Sequence, residues 1–342
     1  MSTLRKRLLI AAAATTGIAV AAGLWLWLSV QASPFDIDET VYIYVRPADD
    51  TDTVRRQLTL TAHARTLLGW DVLTMAGGFT PRTGRYAVEP GARVIDVYRR
   101  LRAGMQTPVQ FTLPAVRTLD RLAGVMAHKL MLDSADVATA FGSDSVAARY
   151  GYSVETLPAA FIPDTYELYW DTSFEAFMQR MAQEHTRFWQ AGNREELANR
   201  LGLTHEEVAT LASIVDAETT NAAEKPAIAG LYLNRLHRGM LLQADPTVVF
   251  AAQAFNARRV SGQMLHTESP YNTYKHPGLP PGPIRIASQQ GIDAVLHAQA
   301  HNYIYMCANA DFSGTHAFAA TYAEHRANAR RYQRALAARG IR

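Results

Sequence analysis

Cysteine is nearly absent from this 342-residue chain. With Cys307 standing alone, an intramolecular disulfide, a multi-cysteine metal site and a paired-thiol redox centre are all excluded. A basic excess is missing too. The formal net charge is +3, and Arg5, Lys6 and Arg7 account for it, so the rest of the chain is neutral and lacks the strong positive balance usual in nucleic-acid binders. Long internal repeats and low-complexity tracts do not occur. What is present suits a folded protein: 48% hydrophobic and 19% charged residues fit neither wholesale disorder nor a polytopic membrane protein. The length exceeds one usual core, which predicts two or three compact units behind a membrane anchor.

The anchor is residues 8–30, an uninterrupted uncharged stretch with Leu24, Trp25, Leu26, Trp27 and Leu28 near its far end. Roughly 20 helical residues cross a hydrocarbon core of about 30 Å, whereas the apolar part of a cleavable signal runs to about 7–15. A signal cleaved near Ala32 is therefore the weaker alternative. Arg5, Lys6 and Arg7 predict a cytoplasmic N-terminus, and Trp25 and Trp27 suit the opposite interface. Everything after about Ser33 then lies outside the cytoplasm.

Beyond Ser33 and Pro34, residues 40–46 alternate Val41, Ile43 and Val45 with tyrosines, the pattern of a strand. The spacing of Leu58, Leu60, Ala64 and Leu67 predicts a helix over 55–68, and a second, over 94–101, follows the turn at Glu89, Pro90 and Gly91. Residues 109–113 resemble a short strand, 119–141 a helix-rich stretch, and 174–189 and 193–201 further helices. Thr204 and Glu207 have capping-box spacing ahead of an apolar run. In the helix they begin, Val208, Leu211, Ala212 and Val215 share one face and Glu218 falls at its edge. Asp216 lies about 200° of rotation from Glu218, so these two carboxylates should not form a pair. A following helix from about Glu224 carries Ile228, Leu231 and Tyr232 inward and stops at Gly239. The prolines and glycines of 277–283 leave too few backbone donors for regular structure and predict a fixed loop.

A carboxylate entering an apolar face favours its neutral form, because desolvation penalises the charge, and such a group can donate a proton. Periodicity alone leaves open that Glu218 marks a helix end in solvent. The surrounding motifs are more specific. Ala212-Ser-Ile-Val-Asp-Ala-Glu-Thr219, Asn234-Arg235-Leu236, Leu242-Gln-Ala-Asp-Pro-Thr-Val248, Tyr271-Asn-Thr-Tyr274 with Gly278-Leu-Pro-Pro-Gly-Pro-Ile284, and the late His316-Ala-Phe318 and Glu324-His325 follow one another. In that order and spacing they resemble the endolytic murein transglycosylase (YceG-like) family. Phe161-Ile-Pro-Asp-Thr-Tyr-Glu167 matches another of its motifs, and about 40–101 resembles its small domain, similar to the glycan-binding LysM fold. Where the family commonly carries Glu-Gly this chain has Ala115 and Val116, and Leu157-Pro-Ala-Ala160 replaces a Leu-Glu-Gly element.

The resemblance implies an α+β protein with residues 1–33 as cytoplasmic start and transmembrane anchor, 34–106 as a LysM-like domain and 107–342 as a mixed α/β catalytic domain. It implies cleavage of the bond between N-acetylmuramic acid and N-acetylglucosamine, with the sugar's C6 hydroxyl as nucleophile and a 1,6-anhydro end as product. Glu218 stands at the family's catalytic glutamate. Gln243, Asn272, Asn234, Tyr271 and Tyr274 are the expected substrate-binding residues, while Asp245 before Pro246 reads rather as a turn or cap residue. No cofactor is expected, and no metal, because the nine-residue spacing of His316 and His325 fits no common zinc pattern. Glycan strands, and through the resemblance peptidoglycan synthases, are the expected partners. The alternatives are a peptidoglycan hydrolase in which Asp245 or Asp216 assists Glu218, and a catalytically silent glycan-binding scaffold.

Overall fold

The computed structural model describes residues 3–340 apart from Arg258; the first two residues of the expected anchor segment and the last two of the expected catalytic domain lie outside them. In chain order the elements are α1 (Thr3–Gln31), β1 (Val41–Val45), α2 (Thr51–Leu60), α3 (Leu68–Gly77), β2 (Gly84–Val88), α4 (Val94–Ala103), β3 (Val109–Thr112), α5 (Leu119–Lys129), α6 (Ser134–Phe141), α7 (Asp144–Arg149), β4 (Thr165–Leu168), α8 (Phe174–Gln190), α9 (Arg194–Leu201), α10 (His205–Glu218), α11 (Lys225–His237), α12 (Asp245–Ala251), α13 (Gly262–Leu265), α14 (Gln289–Leu296), β5 (Tyr305–Ala308), β6 (His316–Ala319) and α15 (Tyr322–Ala338). The strands pair as β1 with β2, β3 with β4 and β5 with β6. The chain divides into two compact units: Met1–Gln110 with Lys129–Met131 and Glu167–Thr172, and Phe111–His128 with Leu132–Tyr166 and Ser173–Arg342.

In the first unit, α1 contains an apolar segment, Leu4–Gln31, long enough to cross a membrane. At about 1.5 Å per residue its 29 residues reach about 44 Å. The end of α1 is seated on α3: a Cβ on Gly69 would lie 2.2 Å from the Ser29 carbonyl oxygen, so only glycine permits the approach. The Val94 amide donates to the Ala32 carbonyl at 3.0 Å, which joins the start of α4 to the same exit. The β1-α2-α3-β2 segment that follows is closed by antiparallel pairing, with Ile43 opposite Tyr86.

The expected helix over 55–68 is corrected here, because local capping divides it. Asp50 accepts from the Thr53 amide at 2.8 Å and starts α2 four residues earlier than predicted. The helix stops at Leu60; His63 then adopts a left-handed φ of 45°, and Leu67 caps the next helix instead of ending the first. Val54, Leu58, Trp70, Tyr86 and Leu101 fill the core of this unit. Trp70 meets Phe79 edge-on at 5.1 Å between ring centres.

The second unit is organised around α10. Its start is as the spacing predicts: the Thr204 hydroxyl accepts from the Glu207 amide, and the Glu207 carboxylate accepts from the Thr204 amide at 2.9 Å. The single apolar face expected for it is too narrow, since every residue from Val208 to Asp216 is buried. Helices α9, α11, α12 and α14 contact it, and a helix so surrounded hides small polar residues such as Thr210 and Ser213 along with its aliphatic ones. Ser213 and Thr210 satisfy themselves on backbone carbonyls one turn back, at 2.7 and 2.6 Å. The proline-rich loop is pinned to this helix, with the Ile284 amide donating to the Ser213 hydroxyl at 3.0 Å.

Candidate active site

Glu218 is the last residue of α10, and Thr219 caps the helix in an extended conformation. One helix later, Tyr232 projects from α11 and donates its hydroxyl proton to Glu218 Oε1 at 2.6 Å. Glu218 is half-buried, and burial is the main force holding its carboxyl above the usual range; the nearby Asp245 charge adds to this, while the Tyr232 hydrogen bond, His316 and Arg235 act in the opposite sense. The carbonyl end of α10 also disfavours negative charge there. Glu218 is thus a carboxyl biased toward holding its proton and still open to a cavity.

Two cavities meet at this group. One, of about 280 Å³, is lined by Glu218, Asp245, Pro246, Phe250, Arg117 and Arg285 among others. The other, of about 240 Å³, is lined by Glu218 and Asp245 again, with Tyr232, Arg235, Gln243, Tyr274 and His316. The cleft therefore extends to both sides of the carboxyl.

Several expected residues assemble here. Gln243 faces the second cavity and is held at a left-handed φ of 51°, a conformation that costs a non-glycine residue about 1 kcal/mol or more. Tyr274 borders the same cavity and donates to Asp245 Oδ1 at 2.6 Å. Burial, helped by that carboxylate, raises the Tyr274 phenol and keeps it a donor.

Three others are placed elsewhere. Asn272, expected in the cleft, has no exposed surface: its amide donates to the Leu265 and Thr267 carbonyls at 3.0 and 2.9 Å, and its oxygen accepts from the Tyr274 amide. It braces the loop that carries Tyr274. Asn234 donates to the His301 and Tyr303 carbonyls at 2.7 and 3.0 Å and braces the chain before β5. Tyr271 packs on Phe250 at 4.7 Å and lines a neighbouring cavity that shares Arg117 and Phe250 with the first.

Asp216 faces away from Glu218, as the rotation predicts. It is buried, accepts from Lys225 Nζ at 2.6 Å and receives the Ser288 amide and hydroxyl at 2.6 and 2.9 Å. Asp245, read as a cap, is the first residue of α12 and also borders both cavities. Sequence reasoning missed Arg235, whose buried guanidinium donates to the Ile304 and Leu242 carbonyls at 2.6 and 2.7 Å and forms a cationic floor to the second cavity. Its only sequence signal was a position in the Asn234-Arg235-Leu236 motif. His325 stacks on Tyr305, whereas His316 lines the cavity; among the described residues no three His, Cys, Asp or Glu side chains converge as a metal site.

Known proteins give this geometry a context. A family model described as YceG-like matches residues 43–331. An endolytic murein transglycosylase of Bacillus subtilis (strain 168) is 36% identical over 155 residues, which cover 45% of this chain and 42% of that protein. The endolytic murein transglycosylase of Streptococcus pneumoniae serotype 2 (strain D39 / NCTC 7466) is 26% identical over 260 residues, 67% of this chain and 46% of its own. The chain thus spans less than half the length of the curated relatives it matches. The 2.6 Å crystal structure of the yceG-like protein lmo1499 from Listeria monocytogenes covers 85% of this chain and 99% of its own at a TM-score of 0.58 and 22% identity, a likeness of fold.

Proposed function

The chain belongs to the YceG-like family, and from that premise we propose that it is a peptidoglycan lytic transglycosylase acting within glycan strands, with Glu218 as its acid and base. The observation that carries this reading is a carboxyl, raised by burial above its usual range, at the junction of two cavities, with room for sugar on both sides. Glu218 first gives its proton to the oxygen leaving the muramyl C1. As a carboxylate it then accepts the proton of the C6 hydroxyl while that oxygen bonds to C1, closing a 1,6-anhydro ring and regenerating the acid. Gln243 and Tyr274 are assigned to hydrogen bonds with the sugar, and Asn234, Asn272 and Tyr271 to holding the walls. Incubation with uncrosslinked glycan strands should yield internal cuts whose new muramyl ends are lighter by one water than reducing ends, measured by mass spectrometry. Reducing ends as the main product would instead favour hydrolysis, a reading supported by Asp245 beside Glu218.

The antiparallel pairing around the β1-α2-α3-β2 segment supports a LysM-like glycan-holding role for the small domain. We assign α1 as an uncleaved anchor with its basic start in the cytoplasm and the catalytic domain outside, where nascent glycan and its synthases are met. Membrane fractionation with N-terminal sequencing should recover the intact chain with membranes, released by detergent alone. A soluble mature form beginning near Ser33 would contradict the anchor.

A further inference from the structure

His316 begins β6, at the edge of the Glu218 cavity, yet the chemistry proposed for Glu218 leaves it unused. Its side chain is 17% exposed, and its Nδ1 lies 3.1 Å from Glu224 Oε2. Glu224 also accepts from the His316 backbone amide, and the Thr219 hydroxyl donates to it at 3.4 Å. One buried carboxylate thus ties the cap of α10, which follows Glu218, to a histidine 92 residues beyond the carboxylate itself. In the neutral ring, a carboxylate against Nδ1 holds the proton on that nitrogen and leaves the lone pair on Nε2. Nε2, on the other edge of the ring, has no hydrogen-bond partner among the described residues.

We propose that Glu224 and His316 are a second functional pair of this cleft, in which Glu224 orients the imidazole and Nε2 accepts a hydrogen bond from a hydroxyl or amide hydrogen of the sugar beside Glu218. The proposal rests on a glycan substrate and adds to the role of Glu218 a second, separate contact. Of the other groups that border the cavity, Gln243 already turns its amide oxygen to the Arg235 guanidinium at 3.4 Å. Arg235 is a donor only, Tyr232 and Tyr274 already direct their hydroxyls to Glu218 and Asp245, and Glu218 is reserved for the reacting atoms. Asp245 already takes the Tyr274 hydroxyl on Oδ1, and Cys307 carries only a weakly bonding thiol.

The test is kcat and kcat/KM on uncrosslinked glycan for the full-length protein, His316→Ala, His316→Gln and Glu224→Gln, each checked by its thermal unfolding midpoint. His316→Ala should lose about 10- to 100-fold in kcat/KM, the value of one strong hydrogen bond, with its unfolding midpoint unmoved. His316→Gln keeps an acceptor oxygen near the Nε2 position and should recover part of that loss. Glu224→Gln loosens the hold on Nδ1 and should lose part of the activity that His316→Ala loses. A folded His316→Ala with the parent's kcat/KM overturns the proposal. So does a set of variants whose activity falls only in step with the unfolding midpoint, because a purely structural histidine would behave that way. A parent protein that makes no cut in glycan at any pH defeats the substrate assignment itself.

Discussion

Glu218→Gln is expected to fold like the parent and to lose activity by about 10²- to 10⁴-fold, the usual worth of a positioned acid or base. Glutamine keeps the size of the side chain and offers an oxygen to the Tyr232 hydroxyl, which now donates to Glu218 at 2.6 Å, so the cavity wall is preserved while the transferable proton is lost. The same variant should change stability in the opposite direction. Burial raises the folded-state pKa of Glu218, so the folded chain keeps a proton that the unfolded chain releases. That contribution is complete below the unfolded carboxylate value and is lost as pH rises through the folded one. Glu218→Gln should therefore unfold later than the parent at neutral pH, with the gain disappearing below about pH 4. Equal or lower stability at neutral pH would mean that the carboxylate is well compensated in place, and retained activity would remove Glu218 from its role.

Lys225→Met is the second large expectation, this time on stability. Lys225 and Asp216 are both buried, 2.6 Å apart, and the carboxylate also receives both hydrogen-bond donors of Ser288, the residue that caps α14. Gly291 lies so close that a Cβ there would sit 2.5 Å from Asp216 Oδ1. The pair thus locks α10, α11 and α14 together close to the candidate site. Methionine fills much the same space but leaves a buried negative charge without its cation, a defect worth about 3–5 kcal/mol. Denaturant unfolding should register that loss, and the double variant Lys225→Met with Asp216→Asn should recover much of it because the charge is gone. A single variant within about 1 kcal/mol of the parent would show that Ser288 alone compensates Asp216.

What the sequence made legible is mostly local. The capping box at Thr204 and Glu207, the strand at Val41–Val45 and the helices ending near Leu201 and Gly239 each depend on neighbours a few residues apart, and the structure has them. The division of 55–68 was hidden because Leu67 continues the apolar spacing of α2 while serving as the cap of α3. At the candidate site, rotation about α10 was enough to separate Asp216 from Glu218, and the family motifs singled out the latter. The partners were not readable, since each comes from a different element: Tyr232 is 14 residues from Glu218, and Glu224 is 92 from His316. Asn272 illustrates the converse. A motif asparagine suits a sugar site and a loop brace equally, and only the fold, which turns its amide onto the Leu265 and Thr267 carbonyls, distinguishes them.

The central claim is that the sugar's own hydroxyl, and not water, takes the place of the leaving group. It is tested most directly by running the reaction on uncrosslinked glycan in water enriched in heavy oxygen and reading the masses of the new muramyl ends. The account predicts anhydro ends, lighter by one water and free of label, made by the parent and nearly absent with Glu218→Gln. Reducing ends carrying one heavy oxygen would contradict it, and would give Asp245 the part of activating water opposite Glu218.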